Sequence, residues 1–489
     1  MPEIDFLSIP ADHRDPGQYI ELDNRFAQIG LPTQPHRILY IGQKLAAGTA
    51  AALTPTRLYS DDQAKALFGR GSMLAAMWKA GGKVDTSTER WAIALADLEA
   101  GVQAAGSYTF VGPSTKAGTG ALMIGGRSVK FGIASGATAA QMATSAAAAI
   151  NADLDLPVTA AVDGVDTTKV NVTARHKGEE GNAISLLVNY YEGEALPEGA
   201  TVTIAAMANG TGNPDITSVF TAIGDAPFQT FIMPFNDEAN RLVLETELAA
   251  RAGPMKQIEG LAYAAKRASH GALLTFGETR NSEFTSTLGI QGMINTPWET
   301  AAAYGAASAF ACRVDPAQPL QTVPLPGLLA PSMADQFNSD KRNIALHNGI
   351  AVAKVDEGGV VRIQRAITHY RANAFGLPDE SYLDSETLRT LFYIRFDLRA
   401  MVAQRFPRSK LGDNGAVGKG VMTPDIMYDQ IIGRAILWLK AGLIEDLDGL
   451  KENLIVQRSI SDRNRLDARI PANVINGLRT FAGQIQFIL

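Results

Sequence analysis

The apolar and polar positions of this chain change their period twice, and each change marks a new segment. The run Arg37-Ile38-Leu39-Tyr40-Ile41-Gly42 is short, rich in β formers and closed by glycine, which predicts a strand covered on both faces. Ser60, followed three residues later by Gln63, starts a predicted helix through Leu67 that Gly69 ends. Ser72 opens a second helix carrying Met73, Leu74, Met77 and Trp78, and residues 90–95 read as a strand. From about Glu99 to Asn213 the pattern becomes short and alternating, with strands predicted at 122–124, 128–131, 170–173 and 184–188 between glycine-containing turns. One alanine-rich helix, 139–151, interrupts this module behind Thr138 as its cap. After Pro214 the longer period returns, with a strand expected at 230–234, a helix at 238–252 and another strand at 273–277.

Strands alternating with helices on both sides of a β-rich module predict an α/β fold, a mainly parallel sheet interrupted in sequence by an insertion. Pro316, Pro319, Pro324, Pro326 and Pro331 mark a boundary or a long surface connection. Beyond it lie a strand pair at 350–354 and 360–365 turned by Glu357-Gly358-Gly359, helices at 385–405 and 424–441, and a closing strand at 486–489. Pro10, Pro16, Pro32 and Pro35 each remove a backbone donor, so the first segment reads as an extended arm. The expected division is an arm at 1–36, an α/β core at 37–98 and 214–330, a β-rich inserted domain at 99–213, an α+β C-terminal domain at 331–482 and a terminal strand at 483–489.

A length of 489 residues exceeds what one core fills, and 46% apolar with 19% charged residues is ordinary globular composition. The net charge of -6 gives no general attraction to nucleic acid or to anionic membranes. No apolar run reaches the ~18–20 residues of a membrane span, and the polar stretch 1–19 does not fit a secretion signal. The single cysteine, Cys312, excludes an internal disulfide and a thiolate zinc site.

An α/β core raises the question of catalysis. The chain has no G-x-S-x-G elbow, no H-E-x-x-H helix and no G-x-x-x-x-G-K-[ST] loop. Gly69-Arg70-Gly71-Ser72 resembles an anion-cradling turn but lacks a third glycine, and it also reads as a helix-to-helix connection with Ser72 as cap. Six histidines, at 13, 36, 176, 270, 347 and 369, are scattered without metal-binding spacing; a Ser-His-Asp site would need one of them buried beside a carboxylate.

Gly42-Gln43-Lys44 after the first buried strand, the run from Lys65 to Met77, and the ending from Asn464-Arg465-Leu466-Asp467 to Leu489 resemble the Mu-type contractile phage tail sheath family. So do Pro157-Val158-Thr159-Ala160 and Ala174-Arg175-His176-Lys177-Gly178 in the inserted module. The resemblance implies a subtilisin-like core topology without protease activity, a protruding inserted domain and a C-terminal domain facing the tail tube. It also implies hexameric rings stacked into a helical sheath, whose contraction drives the tube through the host envelope for genome delivery. Implied partners are further copies of the chain, the tube protein, and baseplate and tail terminator proteins. No cofactor, metal, nucleic acid or membrane insertion is implied, and assembly is expected in the host cytoplasm. The alternatives are the sheath of a headless bacteriocin or injector and a subtilisin-type hydrolase.

In this family the terminal extensions join sheets of neighbouring subunits. The matching apolar positions here are Ile9, Tyr19 and Ile20 in the arm and Ile485, Phe487, Ile488 and Leu489 at the other end. Between 385 and 441 nine Lys or Arg stand against five acids, a local charge of +4 in a chain of -6. Arg395, Arg399, Arg405 and Lys410 are the expected contacts to acidic groups on the tube.

Overall fold

A computed structural model describes residues 12, 14–21, 30–416 and 418–488, so Ile9 and Leu489 lie outside the described residues. The chain forms two compact units: Pro35–Phe392 with Asn476–Leu489, and Met1–Gln34 with Tyr393–Ile475.

The larger unit opens with β1 (Arg37–Gln43), β2 (Thr56–Arg57), α1 (Asp61–Phe68), α2 (Met73–Val84) and β3 (Glu89–Leu95). A β-rich stretch follows: β4 (Gln103–Val111), β5 (Gly118–Ile124), β6 (Arg127–Ile133), α3 (Ala139–Ala152), β7 (Val158–Val162), β8 (Lys169–Lys177), β9 (Leu186–Val188) and β10 (Thr201–Ala208). Helices and strands then alternate through α4 (Thr217–Ile223), β11 (Thr230–Ile232), α5 (Glu238–Ala252), β12 (Leu261–Arg267), α6 (His270–Glu278), β13 (Thr285–Ile290) and α7 (Pro297–Val314). The unit is completed by α8 (Ser339–His347), β14 (Ala351–Val355) and β15 (Val361–Arg365).

Eight strands form one sheet in the order β15-β14-β13-β12-β11-β1-β3-β2. Every pair from β3 across to β14 is parallel, and only the outermost partners β2 and β15 run antiparallel. The α/β class with a mainly parallel sheet follows from the sequence pattern. β1 is buried from Ile38 onward because it is central and covered on both faces. β3 and β11 flank β1 although 134 residues separate the end of one from the start of the other, and the β-rich stretch occupies that interval as two sheets, β10-β4-β8-β7 and β6-β5-β9. Buried side chains of these sheets and of the eight-stranded sheet belong to one continuous hydrophobic cluster.

Three local readings are corrected. Residues 273–277, expected as a strand, lie in α6, whose Ser269 side chain accepts the Ala272 N–H. Gly277 lets that helix approach the chain after α8, since a Cβ there would stand 1.9 Å from the Asn348 carbonyl oxygen. The sheet does not stop near 330: residues 351–365 supply β14 and β15, because the proline-rich crossing returns the chain to the β13 edge. At the C-terminus the described residues 486–488 form no strand, since they have no neighbouring strand to pair with. The alanine-rich segment 300–311 is the middle of α7, buried nearly all round against the sheet; no helix among the described residues is long and apolar enough to cross a membrane.

The smaller unit contains the end of α9 (Ser385–Arg405), β16 (Lys410–Leu411), β17 (Val421–Met422), α10 (Pro424–Lys440), α11 (Leu447–Asn453), and the antiparallel hairpin of β18 (Ile455–Arg458) and β19 (Leu466–Arg469). Asp397 of α9 is fully buried and forms a double hydrogen-bonded ion pair with Arg434 of α10, while Trp438 Nε1 donates to Asp397 Oδ2 at 2.7 Å. Arg434 and Trp438 are four residues apart, so one face of α10 satisfies a single carboxylate. Both helices hold the end of the arm: Arg434 of α10 donates to the Gly30 carbonyl at 3.4 Å, and Tyr393 Oη of α9 to the Pro32 carbonyl at 2.8 Å.

Candidate assembly surfaces

Four of the segments that carried the family resemblance, around 42–44, 65–77, 157–160 and 174–178, meet in space. Arg70, in the turn between α1 and α2, donates to Asp155 at 2.8 Å, and Lys65 of α1 approaches the same carboxylate at 3.4 Å. Gly71, at φ +78, lies against the Leu156 carbonyl and the Arg175 guanidinium, where a Cβ would come within 2.5 Å and 2.8 Å. The Met73 N–H at the start of α2 donates to His176 Nε2 at 3.0 Å, and His176 Nδ1–H donates to Asp97 at 3.0 Å. Asp97 also accepts from Gln43 Nε2 and the Lys177 N–H. Burial opposes the charge on Asp97, yet these donors outweigh it and hold the carboxyl below its ordinary value. The turn 69–72 is thus a joint between core and β-rich module, with Ser72 capping α2 by accepting the Ala75 N–H.

Asp97 and His176 make the orientation of a catalytic dyad, but the ring nitrogen that would activate a nucleophile is occupied by a backbone N–H. His369, fully buried, meets Thr287 Oγ1 at 2.8 Å, and burial followed by the nearby Arg241, Arg371 and Arg280 pushes its pKa well below 6.5. Cys312 is buried and pushed up to about 12, first by burial, so it is an inert packing residue. Among the described residues no group of three or more His, Cys, Asp or Glu has the arrangement to hold a metal.

The terminal segments are different in kind. Arg479 pairs with Asp384 at 3.1 Å and Glu386 at 3.3 Å, pinning the C-terminal tail to the larger unit. Beyond it Phe481, Ile485, Phe487 and Ile488 are at least 78% exposed. Tyr19 and Ile20 of the arm are also exposed, and Tyr19 Oη donates to Asp15 at 3.2 Å. Neither β18 nor β19 pairs with a third strand among the described residues, so each presents an unused edge.

Arg399, Arg405 and Lys410 are exposed and Arg395 half-buried on and after α9; Arg405 donates to Gln430 of α10 at 2.5 Å. Of the charged residues counted between 385 and 441, Arg389, Arg434, Glu386 and Asp397 are buried. Setting these aside leaves seven cations against three acids, so the excess of +4 belongs to the accessible part of the segment. Sequence reading missed the joint at 69–72, since neither its carboxylates nor its carbonyls lie near it in the chain.

Exposed apolar side chains beyond a pinned base and the unused edges of a two-stranded hairpin are the kind of surface through which subunits of an assembly join. Residues 209–369 match the phage tail sheath protein central domain, and residues 378–488 the phage tail sheath C-terminal domain. The Mu-like prophage FluMu tail sheath protein of Haemophilus influenzae is 40% identical over 489 residues, which span 99% of this chain and 100% of that protein. Among solved structures, the sheath tail protein from Listeria innocua is 13% identical with a TM-score of 0.49, covering 91% of this chain and 92% of its own. The helical sheath of the anti-feeding prophage in its contracted state is 10% identical with a TM-score of 0.48, covering 97% and 99%. The chain belongs to the phage tail sheath family and is a structural subunit of a phage-type tail.

Proposed function

We propose that copies of this chain stack as hexameric rings around a tail tube, exchange terminal strands to form a contractile sheath, and drive the tube through a host envelope for genome delivery. The observation that carries this reading is the tail beyond Arg479: large apolar side chains kept in water by a chain that anchors their base with two ion pairs. Burying one such side chain contributes about 1.5–3 kcal/mol, so a tail of this composition is stabilised strongly by a neighbour's strand edge. The β18–β19 hairpin is the acceptor, and the arm residues Ile9, Tyr19 and Ile20 take part from the other end. Leu489 extends the donated strand.

The accessible basic residues Arg395, Arg399, Arg405 and Lys410 face acidic groups on the tube. Exposed ion pairs are individually worth about 0–1 kcal/mol, which allows many of them to hold register and still release on contraction. The core takes a subtilisin-like topology without hydrolytic chemistry and uses no cofactor, the 99–213 module faces outward, and the ends of the sheath meet baseplate and terminator proteins. The subunits assemble in the host cytoplasm.

The test is deletion of 483–489 in the full-length chain. The truncated protein is expected to melt like the native monomer and to form no tubes in negative stain; tubes of normal length and yield would sink the strand-exchange reading.

A further inference from the structure

The two ends of one central strand carry complementary features. Just before β13, Asn281 Oδ1 accepts the N–H groups of Arg371 and Ala372, and its Nδ2 donates to the Ala372 carbonyl at 2.7 Å. This anchors a turn in which Asn373 Oδ1 accepts the N–H groups of Phe375 and Leu377, the Asn373 N–H donates to the Leu377 carbonyl, and Gly376 takes φ +75. The turn is therefore fixed, yet it holds Phe375 88% and Leu377 61% exposed. The turn thus presents two large apolar side chains, two residues apart, to water on a backbone that its own hydrogen bonds hold in place.

Beyond the other end of β13 lies a cavity of about 110 Å³ walled by Ile290, Pro331, Phe337, Val355 and Val361. Its size is comparable to that of apolar cavities of about 150 Å³ that accept benzene. Charge is also complementary: exposed Glu380 adjoins the turn and exposed Lys354 stands at the cavity, whereas Asp379 is taken up by Tyr370 Oη at 2.6 Å and Arg342 by the Phe337 carbonyl. Asp335, the acid lining the cavity, is already held by Gln291 Nε2 at 3.0 Å and by Ser332 Oγ at 2.8 Å.

We propose that the Phe375–Leu377 turn of one copy seats in the cavity beyond the far end of β13 in the next copy. Knob and cavity open at opposite ends of a single strand, so the contact is head-to-tail: it joins copies without closing on a pair, as a filament requires. The inference rests on the reading that this chain polymerises and adds a contact that the terminal strands do not make.

Two variants of the full-length chain test it. Phe375→Ser with Leu377→Ser changes only exposed side chains, so the monomer should melt unchanged while the concentration needed for tube growth rises about tenfold, equivalent to ~1.4 kcal/mol. Tube growth at the native concentration would overturn the proposal. In the second variant Leu377→Cys is combined with Lys354→Cys; the native Cys312 is buried and gives little background. Oxidised tubes are expected to yield a ladder of covalent oligomers on a non-reducing gel, and tubes that yield none would overturn the contact while leaving polymerisation intact. A native chain that forms no tubes even when produced with its tail tube overturns the polymer reading, and this contact with it.

Discussion

Glu180 shows how one residue makes a second contact between module and core, at Asn236, depend on pH. It is 7% exposed, accepts the Asn236 N–H at 3.0 Å, and is pushed up to about 7, chiefly by burial and against the attraction of Lys266. The native state therefore holds a proton that the unfolded chain, near 4.5, has released, and stability falls as pH rises between these values. The swing is on the order of 3 kcal/mol. Glu180→Gln keeps an acceptor for Asn236 and should flatten that decline, seen as a Tm that changes less between pH 5 and 7.5 than in the native chain. His369 acts in the opposite sense: buried neutral, it withdraws stability as pH falls below its ordinary 6.5. Asp397 sets a larger local effect, because Asp397→Ala leaves Arg434 buried without its partner and should cost the smaller unit about 3–5 kcal/mol by chemical denaturation.

Among the elements, α6 and the C-terminal tail make the sharpest contrasts. Gly277→Ala places a methyl group against the Asn348 carbonyl and should destabilise by about 1–3 kcal/mol, whereas Ala is ordinarily favoured over Gly inside a helix. A Tm equal to or above that of the native chain would show that α6 has room to move away. The tail divides at Arg479. Ending the chain after residue 479 should leave thermal stability intact, but ending it after residue 475 takes the Arg479 cation from buried Glu386, which is 3% exposed, while Asp384 keeps its pair with Arg365, and should cost about 1–3 kcal/mol. Equal melting of the two truncations would mean that the Arg479 pairs contribute nothing.

For the whole molecule, the inserted position of the β-rich module suggests that replacing 99–213 by a Gly-Ser linker would be tolerated, since insertions succeed where their flanking ends lie close together. The structure argues for the reverse outcome. Removal takes away the acceptor of the Met73 N–H, the Ser185 partner of the Ile294 carbonyl and part of the continuous apolar cluster. The linker variant is expected to lose cooperative unfolding, and a cooperative transition close to the native one would show that the core stands alone. At the same scale, reversing Arg395, Arg399, Arg405 and Lys410 to Glu should reduce extended sheaths on tubes without changing the monomer's far-UV spectrum. Normal yield of extended sheaths would remove the electrostatic attachment.

Local chemistry was decisive wherever a signal lies within a few residues. The buried run of β1, the Ser72 cap of α2, the Thr138 cap of α3 and the glycine turn between β14 and β15 are short-range patterns, and each was legible in the sequence. So was the exposed basic excess, which survives because the buried cations and buried acids of that segment are equal in number. Strands β12 and β13 were not legible, since LAYAAKR and TSTLGI have neither strict alternation nor a continuous bulky run; they are strands because their parallel neighbours complete their hydrogen bonds. Gly277, Asp97 with His176, and Arg479 with Glu386 took their meaning only in three dimensions. Each depends on a partner 71 to 93 residues away, and no periodicity reaches that far. The sequence by itself determined the buried segments whose apolar pattern is local, such as β1 and α2, whereas tertiary packing decided the strands without such a pattern, which polar groups meet and which apolar side chains are left for another molecule.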